Sequence, residues 1–206
     1  TRIEYEEHDP VRGRAMIQEH DGRYLVVNPP AMPLTSKELD FVAELPYART
    51  YHPMYEPLGG VPAIDEVRFS VIHNRGCFGG CAFCTISAHQ GKFIMSRSPE
   101  SILREVRAIT AMPDFKGYLS DLGGPSANMY GMHGKDPSRC AVCRRKSCLF
   151  PSACSNMDRN HERVLALYRR VDAVKGIRHS YIGSGVRYDL FLDEKGFVDE
   201  SGKKYL

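Results

Sequence analysis

Cys77, Cys81 and Cys84 lie in the run Asn74-Arg75-Gly76-Cys77-Phe78-Gly79-Gly80-Cys81-Ala82-Phe83-Cys84. Three thiolates at Cys-x3-Cys-x2-Cys spacing can hold three corners of a cubic four-iron cluster. Four cysteines would saturate such a cluster. Three leave one iron open, and an open coordination position is where a metal does chemistry. Gly76, Gly79 and Gly80 let the backbone bend tightly and bring its amides to the sulfurs. Arg75 favours an anionic centre. A zinc site, or buried free thiols, is the plainer alternative.

The other four cysteines, Cys140, Cys143, Cys148 and Cys154, form a second group. Four thiolates can close a tetrahedral zinc site or fully ligate an auxiliary iron–sulfur cluster. Arg139, Arg144, Arg145 and Lys146 would offset their charge. Residues 131–156 are polar and have little to fold around without a metal; a reduced, Cys-rich loop is the alternative. Seven cysteines, an odd count in a chain without a secretion signal, argue against a disulfide framework.

The elements that must carry these groups can be read from periodicity. Asp21-Gly22 between two apolar stretches predicts a hairpin. Thr35 or Ser36 caps a short helix through Leu45. A long Pro-rich loop with Tyr47, Arg49, Tyr51, His52 and Tyr55 follows, and such loops are functional or linkers. Val67, Phe69 and Val71 predict a strand, and the first cysteine loop comes directly after it. Ser98-Pro99-Glu100 opens a helix with an apolar stripe at Ile102, Leu103, Val106 and Ile109. Phe115–Asp121 is the next strand, His161–Val174 the next helix and Ile177–Gly183 a third strand. Strand, helix, strand, helix, strand is a parallel α/β order. Its ligand rim is at the strands' carboxyl ends, where Cys77–Cys84, Gly123-Gly124-Pro125 and Gly183-Ser184-Gly185 all fall.

The three-cysteine spacing, with Phe83 before the last Cys, resembles the radical-SAM superfamily. Arg75-Gly76-Cys77 through Ser98-Pro99-Glu100-Ser101-Ile102, the run Asp121 to Gly131 and the run Tyr181 to Asp189 are similar to the YgiQ-type family within it. The similarity covers about Pro46 to Leu190, and family members are longer on both sides. It implies a partial TIM-like radical-SAM barrel of parallel strands, with 131–156 as a Cys-rich insertion. Residues 1–65 would be an N-terminal extension, 66–192 a partial core and 193–206 a polar tail. Such cores have six βα units; about three are legible here, so an open sheet edge is expected.

The resemblance also implies the chemistry. A [4Fe-4S] cluster on Cys77, Cys81 and Cys84 would bind S-adenosylmethionine at its open iron and cleave it reductively to a 5′-deoxyadenosyl radical. Phe83, Gly123, Gly124, Pro125, Ser184 and Arg187 would contact that cofactor. The glycines and Pro125 would act through backbone carbonyls, and Arg187 through the cofactor carboxylate. His89 and Lys92 could face substrate or be solvated loop residues. A reducing donor such as flavodoxin or ferredoxin is implied, in a bacterial, cytoplasmic setting; the substrate is unnamed.

Composition sets the outer bounds. The chain has 206 residues and a net charge of +3, too small to argue for nucleic acid. It has no apolar run long enough for a membrane span and no signal-peptide order at its start. It begins with Thr1 and not Met, which reads as a piece of something longer or a processed product. The competing reading is a zinc-bound four-cysteine module that binds nucleic acid or protein without catalysis. A saturated electron carrier is disfavoured, because it needs no open iron.

Overall fold

The computed structural model describes residues 2–206; Thr1, the first residue of the expected N-terminal extension, and the side chains of Glu4 and Tyr5 lie outside the described residues. Helix α1 (Arg2–Glu7) leads into an antiparallel hairpin of β1 (Met16–His20) and β2 (Arg23–Val27). Asp21 at φ 52 and Gly22 at φ 74 make its two-residue turn, as Asp-Gly predicts. Helix α2 (Ser36–Ala43) starts at Thr35, whose hydroxyl accepts the Glu38 amide while the Glu38 carboxylate accepts the Thr35 amide. The Pro-rich loop contains a 3-10 turn, Pro53–Leu58, and ends in the single-turn helix α3 (Ile64–Val67). The strand expected at Val67 therefore starts later, as β3 (Ser70–Ile72).

Strand β4 (Asn74–Arg75) pairs antiparallel with β5 (Met95–Ser96), and α4 (Ile86–Gln90) lies between them in sequence. Helix α5 (Pro99–Thr110) is capped by Ser98, which accepts the Ser101 amide at 3.1 Å. The expected Phe115–Asp121 strand is split into β6 (Tyr118–Leu119) and β7 (Asp121–Gly123). Strand β8 (His133–Gly134) and β9 (Met157–Asp158) pair antiparallel and close the base of the Cys-rich insertion, which holds helix α6 (Pro137–Ala141). Helix α7 (Glu162–Asp172) and β10 (His179–Ser180) follow. The segment read as a polar tail forms a hairpin, β11 (Leu192–Asp193) with β12 (Gly196–Phe197), and helix α8 (Glu200–Tyr205). This segment packs on the core: the Ser201 hydroxyl accepts the His161 amide at 2.8 Å, and the Tyr205 ring lies 5.0 Å from that of His161.

The parallel order is present in short ladders. β3 runs parallel to β7, with Val71 opposite Leu122, and β6 runs parallel to β10, with Leu119 opposite Ser180. Bonds from Ser120 N to Phe69 O and from Leu122 N to Tyr181 O stitch the two pairs together. One side of this layer sends Val71, Leu119 and Leu122 against Ile102, Val106 and Ile109 of α5 and Val164, Leu167 and Val171 of α7. Every one of these is 1% exposed or less. Burying such side chains contributes roughly 1.5–3 kcal/mol each. Among the described residues β10 is paired on one side only and no barrel closes, so the parallel α/β expectation stands while a TIM-like barrel does not emerge.

The N-terminal extension is clamped to this core by polar contacts. Asp40 of α2 accepts the Ser98 amide at 2.9 Å. Arg49 and Arg97 both pair with Glu105 of α5, and Arg97 is 4% exposed. Among the described residues no helix is long and apolar enough to cross a membrane.

Candidate metal and cofactor site

The first cysteine loop leaves β4 at the carboxyl end of β3. Gly76 sits at φ +87, and a Cβ there would lie 2.0 Å from the Phe93 carbonyl oxygen, so only glycine fits. The Cys77 amide donates to the Gly91 carbonyl at 3.0 Å, and the Gln90 carboxamide accepts the Gly76 amide at 3.1 Å. The Ser87 hydroxyl donates to the Cys77 carbonyl at 2.7 Å and accepts the Gly80 amide at 3.2 Å. Helix α4 thus braces the loop from one side.

All seven cysteines are free thiols. The Gly79 amide points at Cys77 Sγ at 3.4 Å, and Arg187 Nη1 donates to Cys81 Sγ at 2.9 Å. Burial pushes the Cys77 thiol up, while the Gly79 amide and the Arg187 charge pull it back. The Cys84 amide bonds to the Cys81 carbonyl, which closes a turn between the last two thiols. Phe83 is 92% exposed.

The other rim segments meet at Asp121. Its carboxylate accepts the Gly183 amide at 2.9 Å, the Ser184 amide at 3.1 Å and the Ser184 hydroxyl at 2.5 Å. Asn128 clips the two rims together: its carboxamide accepts the Arg187 amide at 2.9 Å and donates to the Arg187 carbonyl at 2.8 Å. The Arg187 guanidinium, expected from sequence to meet a cofactor carboxylate, is held by Asp189 at 2.6 and 3.0 Å and by Cys81. Pairing with Asp189 raises its already high pKa further. The arrangement brings Gly123, Ser184, Arg187 and Cys81 onto one rim.

Sequence reasoning missed Asp121, Asn128, His73 and Asn74. A carboxylate immediately before a Leu-Gly-Gly run in a strand was the available signal for Asp121. His73 and Asn74 are fully buried, and neither imidazole nitrogen nor either carboxamide atom has a hydrogen-bond partner among the described residues. Such orphans are rare in folded proteins. A Cβ on Gly124 would stand 2.5 Å from Asn74 Oδ1, so the orphan carboxamide lies against the Gly-Gly-Pro turn. A buried donor and acceptor beside backbone carbonyls suit a zwitterionic amino acid group. The donor set of three free thiols, with N–H groups aimed at two of them, suits an anionic cluster.

The insertion presses on this loop. The Cys148 amide donates to the Phe78 carbonyl at 3.0 Å, and the Ser147 hydroxyl to the Gly79 carbonyl at 2.6 Å. Burial pushes the Cys148 thiol up to about 11, and repulsion from Cys154, Cys143 and Cys140 adds to the effect. Backbone bonds from Cys143 to Cys140 and from Cys154 to Cys148 close turns within the group. Asn156 fixes one of the thiols, donating to Cys140 Sγ at 3.3 Å. Among the described residues no three His, Cys, Asp or Glu side chains converge as the ligands of a single ion would. A four-iron cluster is wider than one ion and holds its thiolates apart.

Residues 1–70 match the family model described as radical SAM N-terminal. A UPF0313 protein from Bacteroides thetaiotaomicron is 55% identical over 92% of this chain and 30% of its own length. UPF0313 proteins from Clostridium perfringens and Methanocella arvoryzae are each 48% identical over 94% of the chain, and over 29% and 32% of their own lengths. The chain thus spans about a third of the length of the relatives it matches.

Proposed function

We propose that this chain, by these matches a relative of the radical-SAM proteins, carries the cluster-binding and part of the cofactor-binding face of a radical-SAM enzyme. Cys77, Cys81 and Cys84 would ligate a [4Fe-4S] cluster. When bound and reduced, such a cluster supplies an electron that breaks the sulfonium C–S bond of S-adenosylmethionine, giving methionine and a 5′-deoxyadenosyl radical. The observation that carries the reading is the Arg187–Cys81 contact, because it ties the third strand's rim to the first strand's cysteine loop.

This chain's residues have distinct tasks in that scheme. Arg187 and the Gly79 amide offset charge on the thiolates. Gly123, Gly124 and Pro125 offer carbonyls to the cofactor's amino group, with the Asn74 carboxamide beside them. Asp121 fixes the Ser184 backbone and hydroxyl, which sets the rim's shape. The insertion packs on the cysteine loop at Phe78 and Gly79 and braces its backbone. Cys140, Cys143, Cys148 and Cys154 would hold a second metal, zinc or an auxiliary cluster, and release protons on doing so. The electron would come from a small acidic donor of the flavodoxin or ferredoxin kind.

The test is anaerobic reconstitution of the intact protein, with iron and sulfide assays, electron paramagnetic resonance and 5′-deoxyadenosine measurement under reduction. The expected result is a four-iron signal that S-adenosylmethionine perturbs and that Cys77→Ala, Cys81→Ala or Cys84→Ala each abolishes. Zinc alone, with no cluster after reconstitution and no 5′-deoxyadenosine, would overturn the proposal in favour of the non-catalytic zinc module.

A further inference from the structure

A cavity of about 810 Å³ lies between the N-terminal segment, the stretch after the first cysteine loop and the Cys-rich insertion. That volume falls within the roughly 300–1,000 Å³ of small-molecule sites. Its charges do not cancel. Among the described residues Glu7 is taken by Arg14 and Asp9 by Arg12, which leaves Glu6 with Arg75, Lys92, Arg144 and Arg145 on the lining. Arg145 is committed to the carbonyls of Phe150 and Ser152, and Lys92 donates to the Cys143 carbonyl. The side chains of Arg75 and Arg144 have no ionic or hydrogen-bond partner among the described residues. The facing wall is apolar, formed by residues 30–34 with Phe93 and Met95.

Unmatched cations in a concave, low-dielectric site focus their field and concentrate anions. Guanidinium groups suit phosphate and carboxylate oxygens through paired N–H donors. The surplus of cations is more than one carboxylate would neutralise, which favours a dianion. We propose that this cavity binds a small phosphate monoester, with its phosphate on Arg75 and Arg144 and its apolar body against residues 30–34 and Phe93. The site also reaches the cysteine loop, because Ser87 and Gln90 line the cavity and hold the backbone of Cys77 and Gly76.

Isothermal titration of the intact protein with phenyl phosphate, at constant ionic strength and without reductant or S-adenosylmethionine, tests this independently of the radical chemistry. The expected result is one saturable site, weakened at least tenfold in Arg75→Gln and in Arg144→Gln and largely restored in Arg144→Lys. Inorganic phosphate should bind more weakly than phenyl phosphate, because it leaves the apolar wall empty. Should a variant fold poorly, the melting temperature of the unmodified protein decides: a rise with phenyl phosphate beyond that with matched chloride supports the site. Absence of saturable binding, binding indifferent to both substitutions, or no such rise overturns it.

Discussion

Acid should destabilise this protein well before its carboxylates titrate, and His73 is the reason. Its side chain is fully buried between the Tyr130 ring, 5.1 Å away, and the Tyr168 ring, 6.3 Å away. Burial pushes its imidazole down from 6.5 to about 4. The folded state therefore holds the ring neutral while the unfolded chain takes up a proton below pH 6.5. Stability is unaffected above that value and falls as pH drops from 6.5 towards 4. Linkage makes the loss about 2 kcal/mol at pH 5 and roughly 3 kcal/mol at pH 4. Urea denaturation at pH 7, 6 and 5 reads it directly and stays above the range in which paired carboxylates contribute. The control is His73→Leu. It removes an imidazole without partners, so stability at pH 7 should change by less than about 1 kcal/mol, while most of the acid slope disappears. Burial also pushes His161 down, so a smaller slope should remain. A variant with an undiminished slope would show that His73 is not the group responsible.

Other perturbations probe the clamp and the loop. Glu105→Ala should cost about 3 kcal/mol in urea denaturation, because it strands the Arg97 guanidinium, 4% exposed, without its carboxylate; a loss below about 1 kcal/mol would mean the pair is solvated. Gly76→Ala should lower iron incorporation several-fold with helix content unchanged by circular dichroism, since its Cβ would collide with the Phe93 carbonyl. Full iron loading of that variant would show that the loop bends in some other way. Arg187→Lys should leave folding intact and shift the cluster's electron paramagnetic resonance signal, because an ammonium cannot serve Asp189 and Cys81 together. An unchanged spectrum would detach Arg187 from the site. A strong chelator should strip metal from Cys140, Cys143, Cys148 and Cys154 and raise the count of reactive thiols by four; no rise would mean those thiols carry no metal.

The local elements were legible because local chemistry suffices for them. Asp21-Gly22 specifies a tight hairpin by its backbone preference alone. Thr35 with Glu38, and Ser98 before Pro99, satisfy their own helices' first amides. The division of the cysteines into two groups was visible from their spacing alone. Strand limits were less legible. Val67 has the right alternation for a strand but falls in α3, where the turn's hydrogen bond from Arg68 to Ile64 prevails. The 193–206 segment was read as a polar tail because Ser201 and Gly202 carry no apolar signal, yet both are buried.

The sequence by itself determined which residues could hold a cluster and which strand ends they follow, because thiol spacing and periodicity act over a few residues. Only the tertiary structure decided what those residues touch. Arg187 meets Cys81 across 106 positions, Cys148 bonds Phe78 across the interval between the two cysteine groups, and Asp121 gathers Ser184 from another strand. It also decided that His73 and Asn74 are buried without partners and that unmatched cations line one cavity. Those facts arise from chain segments brought together by a shared core. No local pattern of residue types encodes them, because burial and pairing depend on what lies opposite.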